Sequence, residues 1–134
     1  NAERMVDLGN ILSWAGRPEE AIGWIKKAML LNPICPVGYL WMLGHAYFLT
    51  EQYAEAIATL SKAVDRQPDF LPSHLILAGC FLKVGQQEKS LAEIEEIKRL
   101  IPSLLPEAWK QLPYKDQRQA DRFLDALRGL GLKI

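Results

Sequence analysis

Apolar residues recur along the first hundred positions at three- and four-residue spacing, in blocks of about a dozen residues. This spacing is that of one face of an α-helix, so it predicts a series of helices. Glycine or proline stands at the breaks between blocks: Gly16 and Gly85 mark two of them, and Pro33, Pro68 and Pro102 follow three others. Glycine supplies the left-handed turn that ends many helices, and proline cannot continue the backbone ladder. The chain is therefore predicted to be all-α.

The central block has the most regular pattern. It reads Leu40, Leu43, Gly44, Tyr47, Ala56, Leu60, Ala63 and Pro68. This order predicts one helix from Val37 to about Thr50 and a second from Tyr53 to about Arg66. Because Gly44 has no side chain, the second helix can press against the first at roughly 8–10 Å between axes. Tyr47 then fills the space between them, and alanine there should cost about 3–5 kcal/mol.

The same pattern occurs on either side of the central block. Upstream it reads Met5, Leu8, Gly9, Leu12, Ala21, Ile25 and Ala28; downstream it reads His74, Leu77, Ala78, Phe81, Ser90, Ile94 and Ile97. The chain is predicted to hold three helical hairpins, at about 2–33, 37–68 and 71–102, within a single domain of residues 1–134. Glu51 stands at the turn where the other two hairpins have glycine, and a small backbone strain is expected there.

These positions resemble the tetratricopeptide repeat, whose signature sets a tryptophan, Leu-Gly, a tyrosine, an alanine, a phenylalanine and a proline at fixed offsets. In the central repeat, Leu40 stands where the tryptophan usually is and Leu60 where the phenylalanine usually is. The resemblance implies a solenoid of helical hairpins whose first helices line a concave surface.

The segment after Pro102 is not a fourth repeat. A short helix is predicted over 104–111, and a better amphipathic helix over 115–128, with Ala120, Phe123, Leu124 and Leu127 on one face. A solenoid needs its last apolar face covered, so segment 103–134 is predicted to cap repeat three. The alternative is that this helix mediates a homodimer or contacts another domain.

Composition excludes several classes of function. The chain has 134 residues, 49% of them hydrophobic, and its sixteen basic and sixteen acidic side chains cancel. Neither nucleic acid nor membrane is expected as a partner, since no basic cluster and no apolar run of about 20 residues occurs. A cytoplasmic location is expected, with Cys35 and Cys80 as buried or inert free thiols. The chain opens without Met, almost inside a helix, and is expected to be a piece of a longer protein.

No catalytic constellation is evident in the sequence. His45 and His74 lack cysteine partners at metal-ligand spacing, and no glycine-rich loop opens a helix. The fragment is therefore predicted not to be an enzyme and to use no cofactor or metal. His74 falls at a buried repeat position and is predicted to be a packed core imidazole, whereas His45 should face outward from its helix.

The groove implied by the resemblance is the predicted binding site. Helical spacing selects Asn10, Trp14, Trp41, Met42, His45, Phe48, Leu75, Gly79 and Leu82 as the residues that face it. Trp41 and Phe48 lie one turn either side of His45, so a continuous apolar strip is expected. An exposed strip of this kind marks a binding site, and an amphipathic helix of a partner protein or peptide is its natural guest. In the other interpretation the strip is core, packed on a neighbouring helix or on a preceding repeat.

Some members of the family bind the C-terminal carboxylate of chaperones through a clamp of Lys, Arg and Asn side chains. Only Asn10 matches such a position. Val6, Met42, Pro72 and Ile76 stand where the other clamp residues would be, so a chaperone-tail adaptor is not expected.

A narrower resemblance is carried by the stretches 16–22, 47–50, 112–116 and 127–132, of which Leu-Pro-Tyr-Lys-Asp at 112–116 is the most distinctive. They look like the C-terminal repeat region of bacterial class III adenylate/guanylate cyclases. The resemblance implies a regulatory or scaffold module attached to a signalling enzyme whose metal-binding aspartates lie outside this fragment. The alternative hypothesis is a stand-alone chaperone or adaptor for an apolar client.

Overall fold

The computed structural model describes residues 1–100 and residue 125. Residues 1–100 form six α-helices joined by short turns. In chain order these are α1 (Ala2–Trp14), α2 (Pro18–Leu31), α3 (Val37–Leu49), α4 (Tyr53–Arg66), α5 (Leu71–Lys83) and α6 (Gln87–Leu100). The predicted all-α fold is confirmed. The helices predicted over 104–111 and 115–128, and the capping role given to segment 103–134, lie outside the described residues.

The turns inside the hairpins share one backbone conformation. Gly16 and Gly85 have φ values of 84° and 80°, in the left-handed region that glycine enters without steric cost. Glu51 takes the same conformation with a φ of 62°, as its place in the pattern predicted. Its amide donates to the Phe48 carbonyl at 3.1 Å, so the turn closes despite the side chain.

Small residues let the two helices of each hairpin approach closely. A Cβ atom added to Gly9 would lie 2.7 Å from Cγ1 of Ile25. One added to Gly44 would lie 2.6 Å from Cδ2 of Leu60. Such distances are too short for a real side chain, so glycine is required at both crossings. In the third hairpin Ser90 Oγ donates to the Ala78 carbonyl at 2.8 Å and joins α6 to α5 directly.

The hairpins stack so that α1 contacts α3 and α3 contacts α5, while α2 packs on α3 and α4 packs on α5. We call α1, α3 and α5 the first helices. In α3 every residue from 43 to 49 is buried, and in α5 every residue from 73 to 81. A helix that is apolar all round is expected to be buried on all sides. The first helices therefore form the centre of the stack, and the site predicted from the sequence falls on them.

His74 confirms its prediction as a core residue, and it also has a polar role. Its side chain is buried, with Nδ1 2.6 Å from Oε2 of Glu93 and Nε2 2.7 Å from the Pro68 carbonyl. Both neighbours are acceptors, so the imidazole ties α5 to α6 and to the turn before α5. Cys35 and Cys80 are buried free thiols, as expected, and burial raises the pKa of Cys80 to about 12. Among the helices described, none is long and apolar enough to cross a membrane.

Candidate functional site

The nine residues predicted to form the groove are distributed over the three first helices. Asn10 and Trp14 belong to α1; Trp41, Met42, His45 and Phe48 belong to α3; Leu75, Gly79 and Leu82 belong to α5. Contacts of α1 with α3 and of α3 with α5 bring the three helices side by side. The structure thus places all nine on neighbouring helices, but with unequal exposure.

An aromatic cluster joins α1 to α3 at the centre of this region. The rings of Trp41 and His45 are stacked, 4.9 Å apart and 9° from parallel. Trp14 approaches the same imidazole from α1, also with 4.9 Å between centroids and at 41°. The Trp14 indole N–H donates to Oδ1 of Asn10 at 3.1 Å, which fixes the orientation of its ring. Four of the nine predicted residues therefore form one contiguous group.

His45 does not face outward, and that expectation is wrong. It is only 1% exposed, because it lies against the indoles of Trp14 and Trp41. Burial lowers the pKa of its imidazole to about 3, from an ordinary value of 6.5. The ring is therefore neutral at physiological pH, where it acts as a flat packing surface for the tryptophans.

Phe48, Leu75 and Gly79 are also buried, so the expected continuous exposed strip is not present on the described residues. Phe48 packs edge-on against Tyr53, with ring centroids 5.9 Å apart. The sequence analysis did not pair these two rings. A signal was available, since the left-handed turn at Glu51 folds the first residue of α4 back on the last turn of α3. The physical reason for the burial is that α3 is contacted by α1, α2, α4 and α5 at once, and α5 by α3, α4 and α6.

The other five predicted residues are half-buried, and we call them the inner surface: Asn10, Trp14, Trp41, Met42 and Leu82. Trp41, Met42 and Leu82 pack against the hydrophobic core while leaving part of each side chain open. The indole N–H of Trp41 is buried without an acceptor in the described part of the chain. Leaving a buried donor without a hydrogen-bond acceptor costs about 1–3 kcal/mol of stability, and the unbound protein bears this cost.

The chemistry offered by this surface is apolar contact. Val6 and Ile76, at two of the clamp positions, are buried in the core, and Asn10 already uses its oxygen for Trp14. Within the described residues, no group of three or more His, Cys, Asp or Glu side chains could hold a metal ion. The surface is therefore suited to apolar side chains of another polypeptide, which can pack against the two tryptophan rings.

Comparison with protein families and curated proteins identifies the repeat. Residues 37–70 match the family model described as tetratricopeptide repeat, over the stretch that has the most regular pattern. The BBSome complex member BBS4 homolog of Drosophila melanogaster is 29% identical over 75 residues, which cover 56% of this chain. The match spans only 15% of the length of that protein.

Solved structures with similar folds cover nearly the whole chain. A crystal structure of MamA has a TM-score of 0.74 at 21% identity and covers 97% of this chain and 76% of that one. The first tetratricopeptide domain of Spaghetti (RPAP3), bound to the HSP90 peptide SRMEEVD, has a TM-score of 0.71 at 17% identity. The match covers 98% of this chain and 94% of that one. A third similar structure is the Yersinia enterocolitica type III secretion chaperone SycD in complex with a peptide of the translocator YopD. Its TM-score is 0.70 at 18% identity, and the match covers 96% of this chain and 91% of that one. These likenesses confirm the helical-hairpin solenoid fold. The match to the tetratricopeptide repeat family itself covers residues 37–70, about a quarter of the chain.

Proposed function

We propose that this tetratricopeptide repeat domain is a protein-binding module that receives an apolar segment, in the form of an amphipathic helix, on its inner surface. Trp41 is the central contact, Trp14, Met42 and Leu82 extend the apolar area, and Asn10 offers the remaining polar group. The fragment performs no chemistry of its own in this proposal; its role is to recruit or to hold another polypeptide.

One observation carries the proposal: two tryptophans from different helices are held half-open by a buried neutral histidine. Tryptophan is enriched where protein surfaces dock, because its ring offers a large area with few rotatable bonds. His45 cannot move aside, since it is enclosed, so the two indoles keep a fixed arrangement. A rigid surface of this kind loses little conformational entropy when a partner binds.

The comparisons support the class of partner. Two similar structures contain bound peptides, an HSP90 peptide on Spaghetti (RPAP3) and a YopD peptide on SycD. This chain lacks cations at the positions of the carboxylate clamp, so we expect an apolar peptide rather than an acidic tail.

Two synthetic peptides test this expectation by isothermal titration calorimetry: an 18-residue helix with leucine on one face and lysine on the other, and SRMEEVD. The leucine helix should bind with a dissociation constant in the micromolar range, and SRMEEVD should not bind. Trp41→Ala should weaken binding of the leucine helix at least tenfold, since loss of a hot-spot tryptophan costs about 2 kcal/mol or more.

Trp24→Ala is the matched control. Trp24 is also half-buried, but it lies on α2, with Nζ of Lys27 5.1 Å from its ring centroid. Its loss should leave peptide affinity unchanged. The proposal fails if Trp41→Ala binds as well as the unaltered chain, or if its melting temperature collapses while the residual folded fraction binds normally.

The cellular setting is a second part of the proposal. We propose that the module belongs to a bacterial signalling enzyme of the class III cyclase type, in which it serves as a regulatory or scaffold region. The support is the sequence resemblance around 112–116, which lies outside the described residues. The alternative, a stand-alone chaperone for an apolar client, is favoured by the likeness to SycD, of which this chain covers 91%. Sequencing the gene upstream of Asn1 decides: a cyclase domain supports the first setting, and an initiating Met directly before Asn1 supports the second.

A further inference from the structure

The inner surface has an acidic edge on α1. Asn10 and Trp14, the two residues that α1 contributes to this surface, lie on one helical face and are joined by a hydrogen bond. Glu3 and Asp7 continue the same face toward the N-terminus, because positions 3, 7, 10 and 14 have the three- and four-residue spacing of a single helical stripe. Both acidic side chains are exposed. The stripe on α1 therefore changes from two carboxylates, through an amide, to an indole.

The two carboxylates are particular to the first repeat. Counted from the small residue at each helix crossing, the equivalent positions are uncharged: Gly38 and Pro72 for Glu3, and Met42 and Ile76 for Asp7. A Cβ atom added to Gly38 would have no atom within 4 Å, so α3 leaves open space beside the acidic edge. Helix α3 also contains no Asp, Glu, Lys or Arg. A long basic side chain of a docked helix can therefore pass over α3 and reach the carboxylates of α1.

Glu3 and Asp7 have no counter-ion of their own. Within the described part of the chain, neither carboxylate takes part in a salt bridge or a side-chain hydrogen bond. Arg4 is equivalent to the buried Tyr39, which clusters with Ala28 of α2, so Arg4 belongs to a different face of α1. The helix dipole favours Glu3 in the first turn, but its effect is confined to that turn and does not account for Asp7.

We propose that Glu3 and Asp7 are specificity-determining residues of the inner surface, which select a basic amphipathic helix of the partner protein over a neutral or acidic one. This inference rests on the function proposed above and adds the charge of the bound helix. The apolar face of that helix packs on Trp14 and Trp41, and its lysine or arginine side chains lie along α1. Lys83 is exposed at the last residue of α5, at the opposite end of the first helices, so it leaves this edge acidic.

Other helices match the acidic edge less well. The helix predicted over 115–128 has four basic and three acidic side chains, so its net charge gives it little preference for this edge. None of the six described helices has a net charge above +1 with histidine neutral, so a second copy of the chain offers no basic helix either. An acidic helix would place like charges together, which disfavours binding.

Three peptides test the inference on the whole chain by isothermal titration calorimetry. They are the helix of leucine and lysine described above and two versions of it, with glutamine or with glutamate in place of every lysine. At low ionic strength the lysine helix should bind about threefold to tenfold more tightly than the glutamine helix, because two exposed ion pairs form. The glutamate helix should bind most weakly. High salt should reduce these differences, since exposed charges are screened.

The double variant Glu3→Gln, Asp7→Asn should lose the preference for the lysine helix. Its affinity for the glutamine helix and its circular dichroism spectrum should stay unchanged, because both side chains are exposed. Glu55→Gln, Asp65→Asn is the matched control, since it changes the net charge by the same amount at exposed positions of α4. This control should keep the preference for the lysine helix.

The possible results separate this inference from the proposed function. Equal affinity of the unaltered chain for the lysine and glutamine helices, with both weakened by Trp41→Ala, would overturn the inference and leave the proposed function standing. Loss of the preference in the α4 control as well would also overturn the inference, because net charge and not the edge of α1 would then be the cause. If none of the three helices binds, the proposed function and the inference both fail.

Discussion

Substitution of Gly44 by alanine tests whether close helix crossing holds the stack together. The added Cβ would lie 2.6 Å from Cδ2 and 3.0 Å from Cδ1 of Leu60, whose side chain is fully buried. Overpacking of this kind costs about 1–3 kcal/mol. Alanine gains back about 1 kcal/mol of helix propensity over glycine. We therefore expect Gly44→Ala to lower the free energy of unfolding by up to about 2 kcal/mol.

Gly23→Ala is the control, because Gly23 lies inside α2 with no atom within 4 Å of its added Cβ. There only the propensity gain remains, so this variant should be more stable than the unaltered chain by about 1 kcal/mol. Repeat three provides a compensating pair, since Ala78 and Ile94 stand where repeat two has Gly44 and Leu60. The double variant Gly44→Ala, Leu60→Ile should therefore recover part of the loss, and the double-mutant cycle should show coupling.

Urea unfolding followed by circular dichroism at 222 nm measures five proteins: the unaltered chain, Gly23→Ala, Gly44→Ala, Leu60→Ile and the double variant. The reasoning is refuted if Gly44→Ala is as stable as Gly23→Ala, because that would mean the crossing relaxes freely. Additive effects of Gly44→Ala and Leu60→Ile would equally show that the two residues do not share the contact.

Three further predictions concern single residues. The pKa of His45 is about 3 in the folded chain and about 6.5 when unfolded, so between these pH values the unfolded chain binds the extra proton and stability falls as pH falls. His45→Phe should remove this pH dependence of the free energy of unfolding, which is at most about 1.4 kcal/mol per pH unit. Urea titrations that find the same pH slope for the variant and the unaltered chain would contradict this prediction. Glu51→Gly should raise the free energy of unfolding by about 0.5–1 kcal/mol. Glycine relieves the strain of a left-handed φ of 62°, and its greater freedom in the unfolded chain offsets part of this effect. A melting temperature that does not rise would show that the turn is unstrained. His74→Leu should cost about 1–3 kcal/mol because Glu93 loses its partner, and adding Glu93→Thr, the residue of repeat two, should restore most of it. Urea unfolding that finds the double variant no better than the single one would exclude this pair as the cause.

The sequence by itself determined the helices and their pairing. Each repeat has a small residue on its first helix (Gly9, Gly44 or Ala78) and a bulky residue on its second helix. This local pattern predicts each hairpin without knowledge of the complete fold. Gly16 and Glu51 marked the left-handed turns for the same reason, because turn geometry depends on a few neighbouring residues. Helical spacing also predicted which residues of each first helix share a face.

Only the tertiary structure decided which of those positions are open. His45 and Trp41 lie four positions apart on the same face of α3, yet His45 is enclosed and Trp41 is half-buried. The difference arises because Trp14 reaches across from α1, which no spacing rule along a single helix contains. Ile11 is the opposite case. It lies two residues after Gly9 and is exposed, whereas Ala46 and Cys80, two residues after Gly44 and Ala78, are buried, because burial is a property of neighbours in space. Helical periodicity fixes the direction in which a side chain points, and the stacking of helices fixes what lies there.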